Sequence, residues 1–172
     1  LIELIVSVGL FALVMLLASG AYLMMFGLSR QAQGIATGID NLSFATEVMA
    51  RDIRTGTTYN CGGLGDCQSG ASSFSFKDAN GVVVSYSRST QQGSNGTTVG
   101  DIVKGTVPLT DPSVDVTSLT FYTYANSSQT LRQGDYQQPH VTIIVSGVVS
   151  YAAGRSEPFS IETGATMRGS DL

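Results

Sequence analysis

Leu1-Ile2-Glu3-Leu4-Ile5-Val6-Ser7-Val8-Gly9-Leu10-Phe11-Ala12-Leu13-Val14-Met15-Leu16-Leu17 opens a run that stays uncharged from Leu4 through Ser29, up to Arg30. An apolar run of about 25 residues makes a helix of roughly 38 Å, long enough to cross a bilayer core. It carries one carboxylate almost at its head, and a carboxylate in hydrocarbon is costly unless it finds a partner. Glu3 is therefore the first candidate functional residue. No basic stretch precedes the run and no small-residue cleavage site follows it, so it reads as a retained anchor rather than a secretory signal.

The helical signal continues past the apolar run. Leu28, Ile35, Ile39, Leu42, Ala45 or Thr46, Met49 and Ile53 recur at spacings of three, four and seven, which is one apolar face of an amphipathic helix. Arg30, Gln31, Gln33, Asp40, Asn41, Glu47, Arg51 and Arg54 fall mostly off that face, and Glu47 and Arg51 are an i, i+4 pair in the favourable order. The pattern predicts one helix from near residue 1 to about 54, with an all-round apolar part over 1–28 and an amphipathic continuation over 29–54. Gly9, Gly20, Gly27, Gly34 and Gly38 each weaken it by about 0.5–1 kcal/mol relative to alanine. Gly34 and Gly38 form a G-x-x-x-G, a motif that carries little weight outside an apolar run.

Residues 55–172 read as one head domain. Strand patterns cover Ser72–Lys77, Val82–Tyr86, Ile102–Val107, Val114–Tyr124, Val141–Tyr151 and Phe159–Met167. Phe74 and Phe76 share a face, and Ala79-Asn80-Gly81 supplies a hairpin turn. Ser87–Gly100 and Ala125–Gln138 are polar and read as loops. A long helix followed by antiparallel strands is an α+β layout, a helix packed on an antiparallel sheet.

Chemistry is sparse. The chain of 172 residues has a net charge of −4, which argues against a sequence-independent nucleic-acid binder. The single histidine, His140, has no cysteine or acid beside it in sequence. No serine sits in a nucleophile elbow and no glycine loop suits a phosphate. Asp111, Asp115 and Asp135 do not form an ordered calcium loop. No catalytic, cofactor-binding or metal residue is expected. Cys61 and Cys67, six apart in a glycine-rich loop, point to a disulfide if the domain is exported; a reduced pair or half of a zinc site are the other readings, the latter lacking a second pair of ligands. Asn95-Gly96-Thr97 and Asn126-Ser127-Ser128 match the glycosylation pattern, and Tyr122, Tyr124 and Tyr136 read as sheet packing or rim.

Leu1-Ile2-Glu3-Leu4-Ile5-Val6-Ser7-Val8 resembles the processed N-terminus of the type IV pilin and pseudopilin family, in which Phe-Thr-Leu-Ile-Glu-Leu heads an apolar helix. The resemblance covers about 30 residues closely, and the helix–loop–sheet order matches the family layout over the whole chain. It implies that two residues precede Leu1, the first a methylated phenylalanine. Glu3 then matches the family's acid, neutralising the N-terminal amine of a neighbouring subunit as the helix joins a filament. Gly20 stands where major pilins often carry a proline, a place for the helix to loosen. The implied partners are identical or homologous subunits, the inner membrane before assembly, and a prepilin peptidase with its assembly machinery; no nucleic acid is expected. The implied location is that membrane first and an extracellular filament afterwards. Met49-Ala50-Arg51-Asp52-Ile53-Arg54 also resembles the helix end of some minor pseudopilins. The competing expectations are therefore a main filament subunit, a minor or tip subunit of a secretion or DNA-uptake system, and a membrane-anchored ligand-binding β-domain.

Overall fold

The computed structural model describes residues 2–63, 66–92, 96–125, 138–152 and 154–168. One helix, α1 (Ile2–Thr55), runs unbroken through both halves of the predicted segment. Nine strands follow: β1 (Thr57–Asn60), β2 (Cys67–Ala71), β3 (Ser73–Lys77), β4 (Val83–Gln92), β5 (Thr98–Lys104), β6 (Val107–Pro108), β7 (Val114–Tyr124), β8 (His140–Ala152) and β9 (Arg155–Thr166). The α+β class is as the sequence predicts. The strands divide into two antiparallel sheets, one ordered β1-β3-β4-β5-β6 and one ordered β2-β7-β8-β9.

The helix lies on the second sheet through Gly38, Leu42, Ala45, Thr46, Met49, Ala50 and Ile53. This face is rotated from the one read in the sequence, since Leu28 and Ile39 are exposed. The rotation has a steric cause. A Cβ on Gly34 would sit 2.5 Å from Tyr151 Cβ, and one on Gly38 would strike the methyls of Val149. The G-x-x-x-G set aside in the sequence is thus the notch that seats β8 against the helix. The Thr46 hydroxyl, buried in this face, donates to helix carbonyls at Leu42 and Ser43, 3.0 Å each, so no polar group is stranded there.

The sheets meet in a core of aromatic rings. Phe74 of β3 stacks on Phe121 of β7 at 5.4 Å, Tyr59 lies 5.4 Å from Phe74, and Phe76 stacks on Tyr86 at 6.1 Å. Such pairs add about 0.5–1.5 kcal/mol each beyond the area they bury. The Asn-Gly turn forms as expected, though as a wider loop closed by Asp78, whose carboxylate accepts from the N–H of Asn80 and Val82 at 2.8 Å, with Gly81 at φ 79°. Ser87–Gly100 is not a loop: β4 extends to Gln92 and β5 begins at Thr98, pairing from Tyr86↔Lys104 to Gln92↔Thr98. The ladder overrides the polar composition because one face of β5, including Ile102, is buried in the core. β1 and β2, short and polar, were not read as strands at all.

Candidate functional site: an exposed apolar helix

Every described side chain from Ile2 to Ser29 is exposed. The most apolar 18-residue window of α1 has a mean hydropathy of 2.4, and none of it is buried. Ile2 and Met24 are each 80% exposed, and Leu16 and Leu23 are each 72% exposed. A surface patch of a few hundred Å² already marks an interaction site on a soluble protein, and this surface is a whole helix. It is long and apolar enough to cross a membrane. The hydroxyls of Ser7 and Ser19 donate to the carbonyls of Leu4 and Met15 at 3.0 and 2.8 Å, so these polar groups are satisfied within the helix. Arg30 ends the run with its guanidinium 4.9 Å from the Phe26 ring centre, where an amphipathic side chain marks an interface.

Glu3 lies beside Ile2, Val6, Ser7 and Leu10, which line one shallow groove along the helix. The carboxylate is therefore set into an apolar stripe with a small residue one turn on. Its place in the first turn also lies near the positive end of the helix dipole. Gly9, Gly20 and Gly27 have open space where a Cβ would be, and the helix passes through Gly20 without a break.

Polar ties hold the helix at the head end, among them Asp111 N–H donating to Asn41 Oδ1 at 2.9 Å. Arg168 N–H donates to Arg54 O at 2.8 Å, covering an end carbonyl. Tyr59 Oη donates to Ile53 O at 2.6 Å, and burial pushes this phenol up to about 12. Asp52 Oδ2 receives Tyr86 Oη at 2.6 Å and Lys104 Nζ at 2.5 Å. Burial works against the Asp52 charge, but the hydrogen bonds from Lys104 and Tyr86 and the nearby cations Lys104 and Arg51 outweigh it, so its carboxyl stays below the usual aspartate value. Tyr86 is pushed upward, first by burial and then by the Asp52 charge. Among the described residues the ion pair of this helix is Asp52–Lys104, not the expected Glu47–Arg51. Its partners are 52 residues apart in sequence, a separation that pattern reading does not bridge.

Cys61 and Cys67 form a disulfide, with Cα atoms 6.2 Å apart. It joins the end of β1 in one sheet to the start of β2 in the other. Thr123 of β7 fixes it in place: its hydroxyl lies 3.4 Å from Cys61 Sγ and accepts from Cys67 N–H at 3.0 Å. Asn60 Oδ1 accepts from the N–H of Gly62 and Gly63, shaping the loop between them.

The remaining polar candidates have structural partners. His140 lies beside the hydroxyls of Thr166 and Thr142, at 3.2 and 3.3 Å from its ring nitrogens. Asp111 accepts from Ser113 N–H at 2.9 Å, which lowers its carboxyl below the usual value, and Asp115 accepts from Gly100 N–H at 2.7 Å. No group of three or more histidine, cysteine or acidic residues arranged to hold a metal occurs among the described residues. Tyr122 and Tyr124 sit on the outer face of β7, opposite Leu119 and Phe121, as expected. Leu1, Asn95, Asn126, Asp135, Tyr136 and most of the polar connection 125–138 lie outside the described residues. The chain matches no protein-family model, no curated protein and no solved structure.

Proposed function

We propose that this protein is a structural subunit of a filament of the type IV pilus or pseudopilus kind, stored in a membrane and assembled through α1. The observation that carries the reading is the rigid continuity of α1: a wholly exposed apolar half with one acid, Glu3, is joined without a hinge to a half locked in the head. A bilayer is one medium that covers such a surface, and a bundle of identical helices is another. The same residues serve both, because lipid tails and packed leucines are similar media.

In this reading Glu3 is the register pin. Two opposite charges in an apolar bundle attract far more strongly than in water, and each left alone is costly. A neighbour's terminal amine meets Glu3 only at one axial offset, which fixes the rise between subunits. The head domains coat the outside, tied to the core helices by Asp52, Tyr59 and the Gly34–Gly38 notch.

The test is substitution of Glu3 in cells that assemble the protein. Glu3→Ala and Glu3→Val should leave the protein in the membrane fraction and remove it from filaments sheared off the surface. Normal yield and regularity of filaments from both variants would contradict the role. The Asp52 bond to Lys104 and Tyr86 ties the Arg51–Arg54 segment into the subunit, and the likeness of that segment to the helix end of minor pseudopilins keeps a minor or tip subunit as the second reading. Copy number along sheared filaments separates main from minor subunit.

A further inference from the structure

The filament reading makes no use of Asp101. This residue lies on β5, opposite Ser89 of β4, and is only 4% exposed. Its Oδ2 accepts from Gln91 Nε2, while its Oδ1 is buried with no protein hydrogen-bond partner among the described residues. A buried carboxylate oxygen left unpaired is among the costliest features a fold can carry. Arg88 on β4 is directed elsewhere, its Nε donating to Val116 O at 2.5 Å.

Beside Asp101 is a small cavity at the edge of the sheet, lined by Gln91, Gln92, Val99, Asp101, Thr110 and Pro112, of which Gln91, Gln92 and Pro112 are exposed. Its volume is about 10 Å³ for the centres of water-sized spheres, room for one such body. The segment after β6 roofs it: Leu109 N–H donates to Ile102 O at 2.8 Å, and the Thr110 hydroxyl oxygen accepts from Ile102 N–H at 3.1 Å. The polar lining offers a carboxylate, two side-chain amides and a hydroxyl, with neither sulfur nor imidazole. Oxygen donors around a carboxylate, with no thiolate or imidazole, suit hard cations rather than zinc or copper.

We infer that this cavity is a binding site for one small hard cation, Na⁺ or Ca²⁺, held by Asp101 Oδ1 and the neutral oxygens around it. The cation neutralises the buried charge and clamps the 109–112 segment onto the β4–β5 hairpin. One carboxylate among neutral ligands makes a weak site, in the millimolar range of extracellular modules, where affinity follows the number of charged ligands.

The test follows thermal unfolding of the full chain in detergent micelles at equal ionic strength in tetramethylammonium, sodium or calcium chloride. Tetramethylammonium is too large to enter. Sodium or calcium should raise the midpoint by about 3–6 °C at ten times its dissociation constant, and the larger shift names the ion. Asp101→Asn, which keeps the shape and removes the charge, should abolish the difference between salts. Gln91→Glu, which adds a second carboxylate, should strengthen the calcium response at least about tenfold in concentration. Identical wild-type midpoints in all three salts would overturn the site even if Asp101→Asn fails to fold. So would a cation response that survives in Asp101→Asn, or one unchanged in Gln91→Glu.

Discussion

Asp52 shows how one side chain joins the two halves of the molecule. Its folded carboxyl is held below the usual 3.8, so its stabilising contribution is present above about that pH and is lost as pH falls through the lower folded value. The pair with Lys104 is partly exposed, with side chains 29% and 39% accessible, so salt and water limit its contribution to about 0–1 kcal/mol. Asp52→Asn should therefore cost no more than that at pH 7, and its denaturant midpoint should converge with wild type as pH falls through the lowered folded value. A gap that persists in strong acid would place its role elsewhere. Thr58 is a second case: it holds φ 57°, a region that β-branched residues avoid, where the register of β1 against β3 shifts. Thr58→Gly should raise stability by up to about 1 kcal/mol in urea denaturation, relief of strain outweighing the extra freedom of the unfolded glycine. The sequence did not announce either residue. In the sequence Asp52 is only a member of the Met49–Arg54 segment, because its partners come from β4 and β5.

At the scale of elements, the helix was legible and its orientation was not. Periodicity from Leu42 to Ile53 marks the buried face correctly, since leucine, methionine and isoleucine there have a core to fill. Further up, Leu28 and Ile39 promised a face that glycine took, because close approach of β8 leaves no volume for a side chain. Gly38→Ala should thus destabilise the head by about 1–3 kcal/mol through overpacking, although alanine is the better helix former by about 1 kcal/mol. Gly27→Ala, with open space around it, should leave the head's unfolding midpoint unchanged. Equal effects at the two positions would remove the notch from the account. Strands β7 and β8 were readable from runs of β-branched and aromatic residues, and β7 keeps the expected bounds. The far part of the β4–β5 hairpin was not readable, since its glutamines and serines carry no alternation and are held by pairing rather than by pattern. The disulfide ties the two sheets at β1 and β2, the strands with the least hydrophobic support. Cys61→Ser with Cys67→Ser should lower stability by about 2 kcal/mol, read as a fall in the urea midpoint, with the far-ultraviolet spectrum preserved.

For the molecule as a whole, the architecture is a rod with one covered end. α1 spans about 81 Å, and its free half projects beyond the sheets. The sequence carried most of this: the length of the uncharged run, the place of the single acid and the switch to an amphipathic pattern are all visible without coordinates. The structure adds that none of the described residues of the head folds back to cover the apolar half, and that the helix enters the head without a hinge. A surface so large needs a lipid or protein environment, and the proposed filament supplies each in turn. The most direct measurement is a helical reconstruction of the polymer recovered from cells that express the chain. The expected result is a core made of the residue 2–28 helices, with Glu3 of each subunit against the terminal amine of a neighbour and the β-sheets outside. A polymer whose contacts run through the sheets, with the apolar helices outside the core, would contradict it.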